Sequence, residues 1–107
     1  MKAWDIYSFQ PPDWPEAHPC VIVSHPDRVA NKPHVTILMC SSQAATRAAK
    51  PHEVILDHAD GLDWATLCKC DLLHAVTKGE LKQRRGHVTE PRRRQIIATI
   101  IRANGWV

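Results

Sequence analysis

His18-Pro19-Cys20-Val21-Ile22-Val23-Ser24-His25-Pro26 is a short apolar run held between two His-Pro dipeptides. Val and Ile fill it, prolines punctuate both ends, and its length is that of a strand rather than a helix. It reads as a strand buried on both faces, the central one of a small barrel. Polar residues at the ends of such strands, here His18 in front and Ser41-Ser42 after the next strand, sit where a rigid β scaffold aims exposed side chains.

Outward from this run, short strands follow one another. Trp4 to Phe9 alternates and reads as the first strand. Gln10 to Ala17 holds three prolines and is a loop; its Trp14 is either a lid on the barrel or a contact residue for a partner or base. Asp27 to Pro33 reads as a polar connection. His34 to Cys40 is a strand ending in Ser41-Ser42-Gln43, and an Ala-rich stretch runs on to Lys50. Glu53 to Asp57 is a strand, and Ala59-Asp60-Gly61 is a turn. Thr66 to Asp71, continuing through Leu72 to Val76, is one strand or a bent pair. Thr77 to Glu80 is a turn or a single helical turn, and Leu81 to Val88 is a last polar strand.

Thr89 to Ala103 is the one helix expected. Thr89 suits the N-cap, Glu90 and Pro91 suit the first turn, and Ile96, Ile97, Ile100 and Ile101 form one apolar stripe. Asn104-Gly105 stops it. Arg92, Arg93 and Arg94 oppose the helix dipole in its first turns, which hints at a role outside helix stability. Trp106 is expected to pack onto the barrel after the helix. The fold class is therefore mainly β, a small antiparallel barrel with a C-terminal α-helix.

A chain of 107 residues, 44% hydrophobic, is expected to form one domain, 1–107, with a core that needs no metal or disulfide. No apolar run approaches the ~18 residues of a membrane span. Met1-Lys2-Ala3-Trp4-Asp5 is not a signal peptide, so a cytoplasmic location without membrane contact is expected. Cys20, Cys40, Cys68 and Cys70 are then expected as reduced thiols in small hydrophobic roles. Cys68, Cys70 and His74 are a poor start for a tetrahedral zinc site, since two ligands are alternate residues on one strand and no second C-x-x-C or H-x-x-x-H follows, so no metal or cofactor is expected. The net charge is only +3, but Lys78, Lys82, Arg84, Arg85, Arg92 to Arg94 and Arg102 crowd the C-terminal third. This flank is either a polyanion-binding surface, with Arg84 and Arg85 as RNA-binding candidates, or a solvated charged face.

The order of these motifs resembles the PemK/MazF toxins, ribonucleases of bacterial toxin–antitoxin systems with an SH3-like barrel shared with CcdB. The resemblance runs nearly end to end. Trp4-Asp5-Ile6-Tyr7-Ser8-Phe9 is similar to the family's G-[DE]-I-W-x-V-x-F strand. His18 to Pro26 follows R-P-[AV]-[LV]-[IV]-[VL]-S-P, and Ser41-Ser42-Gln43 follows T-T-Q. His52 to Leu56 follows H-E-V-x-L, Gly61-Leu62-Asp63 the G-L-D turn, and Lys69-Cys70-Asp71-Leu72 the [LR]-C-D-Q motif.

The resemblance implies metal-independent cleavage of single-stranded RNA by attack of the ribose 2′-oxygen on the adjacent phosphate. That needs a base, an acid, and donors or cations for the charge that builds on phosphorus. It carries a hydroxyl onto Ser41, with Ser42 beside it, a carboxylate onto Asp71 and a cation onto Lys69. Three positions depart: His18 replaces the R-P arginine, Leu72 the glutamine after the aspartate, and His74 an arginine three positions beyond it. Imidazole cannot clamp a phosphate as guanidinium does, but it transfers protons near neutral pH.

Two readings follow. In one, His18 and His74 form an acid/base pair, Ser41 or Ser42 binds phosphate, and Lys69 and Trp14 contact RNA. In the other, the fold persists as a catalytically degenerate binding protein. A third changes the target to DNA gyrase, poisoned in CcdB fashion through Gly105-Trp106-Val107. The resemblance also implies a homodimer and a cognate antitoxin. The plainer roles are that Ser41-Ser42 end a strand, Asp71 ties a turn and His18 is a surface histidine.

Overall fold

The computed structural model describes residues 1–42 and 47–106, so Gln43, part of the Ala-rich stretch, and Val107 lie outside the described residues. Among the described residues, seven strands and two α-helices are laid out in chain order as β1 (Asp5–Phe9), β2 (His18–Ile22), α1 (Pro26–Asn31), β3 (His34–Ser41), β4 (Glu53–Leu56), β5 (Thr66–Lys69), β6 (His74–Thr77), β7 (Lys82–His87) and α2 (Glu90–Ala103). Every pairing is antiparallel. The strand order is β4-β5-β3-β2-β1-β7, with β6 also paired to β3. The sheet curls into a half-barrel, and α2 packs by β4.

The reading of β2 holds. Pro19 to Ile22 are buried, with Val21 in one apolar cluster and Cys20 and Ile22 in the other. The first cluster, with Ile6, Leu38, Leu56 and Ile96, fills the inside of the curl beneath α2. The second, with Phe9, Ile37, Met39 and Val76, lies on the opposite face of the same strands. This double burial explains why β2 and β3 read as near-continuous apolar runs.

The curl is closed at one point by backbone contact. A 3₁₀ turn, His58–Asp60, follows β4, and Gly61 ends it in a left-handed conformation, φ 90°. A Cβ at Gly86 on β7 would fall 2.1 Å from the Asp60 carbonyl oxygen, so glycine is required there. Above this seam Arg92 of α2 reaches down to Asp57 (2.7 Å) and Asp60 (2.5 Å). The arginines at the start of α2 are thereby accounted for. Arg93 donates to the Val88 carbonyl and meets His87, and Arg94 pairs with Glu90 one turn back.

Several expectations are corrected. Asp27 to Pro33 is not merely a polar connection, because α1 occupies Pro26–Asn31; the His25 ring accepts from the Asp27 N–H, proline starts the helix, and Val29 is buried beneath it. Thr89 holds the N-cap position of α2 without a side-chain cap bond; Asp60 Oδ1 instead accepts from its N–H at 3.0 Å. The apolar stripe of α2 is narrower than expected, since Ile96 is buried and Ile100 packs on the core while Ile97 is exposed. Trp106 is 62% exposed and does not pack away. The stretch after Thr66 resolves into β5 and β6, which divide β3 between them.

Candidate active site

On the face of the sheet away from α2, the β1–β2 loop, β3 and the β5–β6 connection enclose a groove of about 620 Å³. Phe9, Met39 and Val76 floor it, Pro11, Pro12 and Trp14 form one wall, and Lys69, Asp71, Leu72, His74 and Glu80 supply the other. The strand period decides who faces it. Val35, Ile37 and Met39 of β3 lie on this face, and Ser41 follows in the same alternation. His74 stands opposite Ile37 on β6. Extending the β3–β5 register by one step puts Lys69 opposite Met39.

Four of the sequence-selected residues, Trp14, Lys69, Asp71 and His74, therefore line one groove. His18 stands beside it. It is half-buried at the start of β2 opposite Phe9, and its ring meets Trp14 edge-on at 5.1 Å between centroids. Cys20 pairs with Met39, and the same register extended along both strands sets His18 opposite Ser41. Ser41 is half-buried, its carbonyl accepting from Thr66 Oγ1 at 2.7 Å, while Ser42 is exposed beyond it. Trp14 itself is 45% exposed, so it both covers His18 and offers a ring to the groove.

Among the described residues, the side chains of His18, Lys69 and His74 make no hydrogen bond or ion pair within the chain. Lys69 and His74 thus present a cation and an imidazole to the groove, with the His18 imidazole beside it. Asp71 Oδ2 lies 4.0 Å from His52 Nε2. Cys68 and Cys70 turn into the core beneath α2, away from His74. No cluster of three His, Cys, Asp or Glu among the described residues is placed to hold a metal ion.

Arg84 and Arg85 are not brought to this groove. Two irregularities in the β1–β7 register, at Ile6/Tyr7 and Tyr7/Ser8, send Arg84 to Asp5 at 3.3 Å and Arg85 to Ser8 Oγ at 3.2 Å. Sequence reasoning also missed two site residues. Glu80 lines the groove with its carboxylate held by the N–H and hydroxyl of Thr77 at 3.0 and 2.7 Å. Those bonds, the backbone one foremost, hold its pKa below the usual value. The T-x-x-E spacing of a capping box was the available signal. His52 heads the H-E-V-x-L motif, but its approach to Asp71 was not legible because it joins the start of β4 to the end of β5.

The sequence matches the family described as PemK-like, MazF-like toxins of type II toxin–antitoxin systems over residues 2–103. The chain belongs to the PemK/MazF toxin family. Similar solved structures agree in fold. An endoribonuclease in complex with its cognate antitoxin from a mycobacterial species superposes at a TM-score of 0.83, with 22% identity over 100% of this chain and 97% of that one. The Mycobacterium tuberculosis toxin MazF-mt6 gives 0.78, with 19% identity over 92% and 94%. The MazE–MazF structure from Deinococcus radiodurans gives 0.74, with 14% identity over 98% and 96%. Among curated protein sequences none matches. In this PemK/MazF toxin, Lys69 is the one fixed cation among the described residues lining the groove.

Proposed function

We propose that this PemK/MazF toxin is an endoribonuclease that cleaves single-stranded RNA by 2′-oxygen attack, without metal. The observation that carries the reading is the groove in which Lys69, Asp71 and His74 converge, with His18 behind Trp14. One imidazole of His18 and His74 takes the 2′-hydroxyl proton as O2′ bonds to phosphorus. The other delivers a proton to O5′ as the P–O5′ bond breaks, leaving a 2′,3′-cyclic phosphate and a free 5′-hydroxyl. Lys69 neutralises charge on the phosphoryl oxygens, Ser41 or Ser42 donates to them, and Asp71 accepts from the 2′-hydroxyl. Trp14 stacks on a base. Exchanging arginines for histidines converts a fixed electrostatic clamp into one that acts by proton transfer near neutral pH.

The same reading makes the chain a single cytoplasmic domain, 1–107, that works as a homodimer and is neutralised by a cognate antitoxin. A structural neighbour complexed with its antitoxin supports the last point. No described helix is long and apolar enough to cross a membrane.

The test is incubation of the purified protein with single-stranded RNA in EDTA. Cyclic-phosphate ends should appear, and His18→Ala and His74→Gln should each lower kcat by about 100-fold or more. Intact RNA with the unsubstituted protein would overturn the reading in favour of the degenerate binding fold or the gyrase target.

A further inference from the structure

Away from the groove, the loop between the Asp57–Gly61 turn and β5 carries Trp64, which is 52% exposed. The Arg85 guanidinium carbon lies 5.3 Å from the Trp64 ring centroid. Arg85 is placed there by the β1–β7 irregularity. Ile6 pairs with Gly86 and Tyr7 with Arg84, so Arg85 is the extra residue on its strand. Bulges of this kind re-aim a side chain. A bond from Arg85 Nη1 to Ser8 Oγ anchors the guanidinium, and among the described residues no carboxylate pairs with it. An exposed indole, held by an anchored cation whose charge is uncompensated, is a rigid base-stacking surface rather than a stray apolar side chain.

Its position relative to the groove supplies the second argument. Ser8, which holds Arg85, also lines a shallow depression with Phe9, Pro12, Glu80 and Lys82. Phe9, Pro12 and Glu80 of that depression are walls of the groove itself. Ser8 is buried and alternates with Phe9 along β1, so its hydroxyl and Arg85 lie on the other side of the strand from the groove floor. A strand leaving the groove over this depression would have to turn round the end of β1 by Lys82 to meet Trp64.

We propose that Trp64, backed by Arg85, is an outlying subsite that stacks a base of the RNA strand as it leaves the groove. The inference rests on the ribonuclease reading and extends it to substrate length. Trp64 binds without taking part in the chemistry, so it acts on affinity for long substrates only.

The experiment uses 2′-O-methyl RNA, which cannot be cut, in two lengths of mixed sequence: about five nucleotides to fill the groove and about twelve to reach beyond it. Fluorescence anisotropy should show the longer oligonucleotide binding more tightly to the unsubstituted protein. Trp64→Ala should weaken that binding about ten-fold and leave the shorter one unchanged, while Trp64→Phe restores most of the loss. Oxidative footprinting of the unsubstituted chain, read by mass spectrometry, should show Trp64 protected by the longer oligonucleotide alone. Equal effects on both lengths, or a Trp64 left unprotected while RNA is bound, would overturn the subsite and leave the ribonuclease reading standing. Failure of the unsubstituted protein to bind either RNA would overturn both.

Discussion

Removing the guanidinium of Arg92 should be the most damaging single change on the surface of α2. Asp60 is fully buried, and its carboxylate serves three donors: Arg92 Nη1 at 2.5 Å, the Thr89 N–H at 3.0 Å and the Asp57 N–H at 3.1 Å. Arg92 also grips Asp57 through both nitrogens, at 2.7 and 3.2 Å. Arg92→Leu leaves a carboxylate out of water with its countercharge gone, a loss of about 3–5 kcal/mol. For a domain of this size that is a fall in Tm of at least about 12 °C. Arg94→Leu is the control on the same helix. Its pair with Glu90 is exposed on both sides, so the loss should stay under about 0.5 kcal/mol. Urea unfolding followed by circular dichroism measures both. Equal losses for the two variants would refute the claim that Arg92 clamps the curl, and so would recovery of less than half the Arg92→Leu loss on adding Asp60→Asn.

Other outcomes follow from neighbouring features. Gly86→Ala puts a Cβ against the backbone oxygen of Asp60, so thermal melts should show a loss of about 1–3 kcal/mol or more. Acid stability should decline in a defined window. Hydrogen bonds from Arg47 hold Glu53 at about 2, and those from Arg92 hold Asp57 at about 2. Both values are depressed on folding, so their contribution is complete above about pH 4.5 and is lost as pH falls towards 2; denaturant midpoints across that range should show it, and a flat profile would contradict these pairings. Lys69→Ala should lower kcat for RNA by about 100-fold with an unchanged Tm, because Lys69 has no partner to lose among the described residues.

How far the chain could be read without its structure depends on the range of the forces involved. β1, β3, β4 and α2 were legible because alternation, prolines and the isoleucine repeat are local signals. α1 escaped because six residues with one buried side chain, Val29, carry too little periodicity to register. Lys69, Asp71 and His74 were found together through motif order and Trp14 as an aromatic in a proline-rich loop, and the structure puts all four along one groove. Arg84 and Arg85, singled out as RNA-binding candidates by charge, lie off the groove because a register irregularity, invisible in sequence, turns them to Asp5 and to Ser8 and Trp64.

The sequence by itself determined an antiparallel β fold with one terminal helix, through period and punctuation expressed within a few neighbours. Its resemblance to the PemK/MazF toxins singled out His18, Ser41, Lys69, Asp71 and His74 and the chemistry to look for. Tertiary structure alone decided that Trp14 covers His18, that Glu80 joins the groove, and that Arg92 clamps the curl shut. It alone separated Arg84 from Arg85 and set the latter against Trp64. Each of these depends on which strands meet and in what register, and register is fixed by burial across the whole sheet rather than by any stretch of chain.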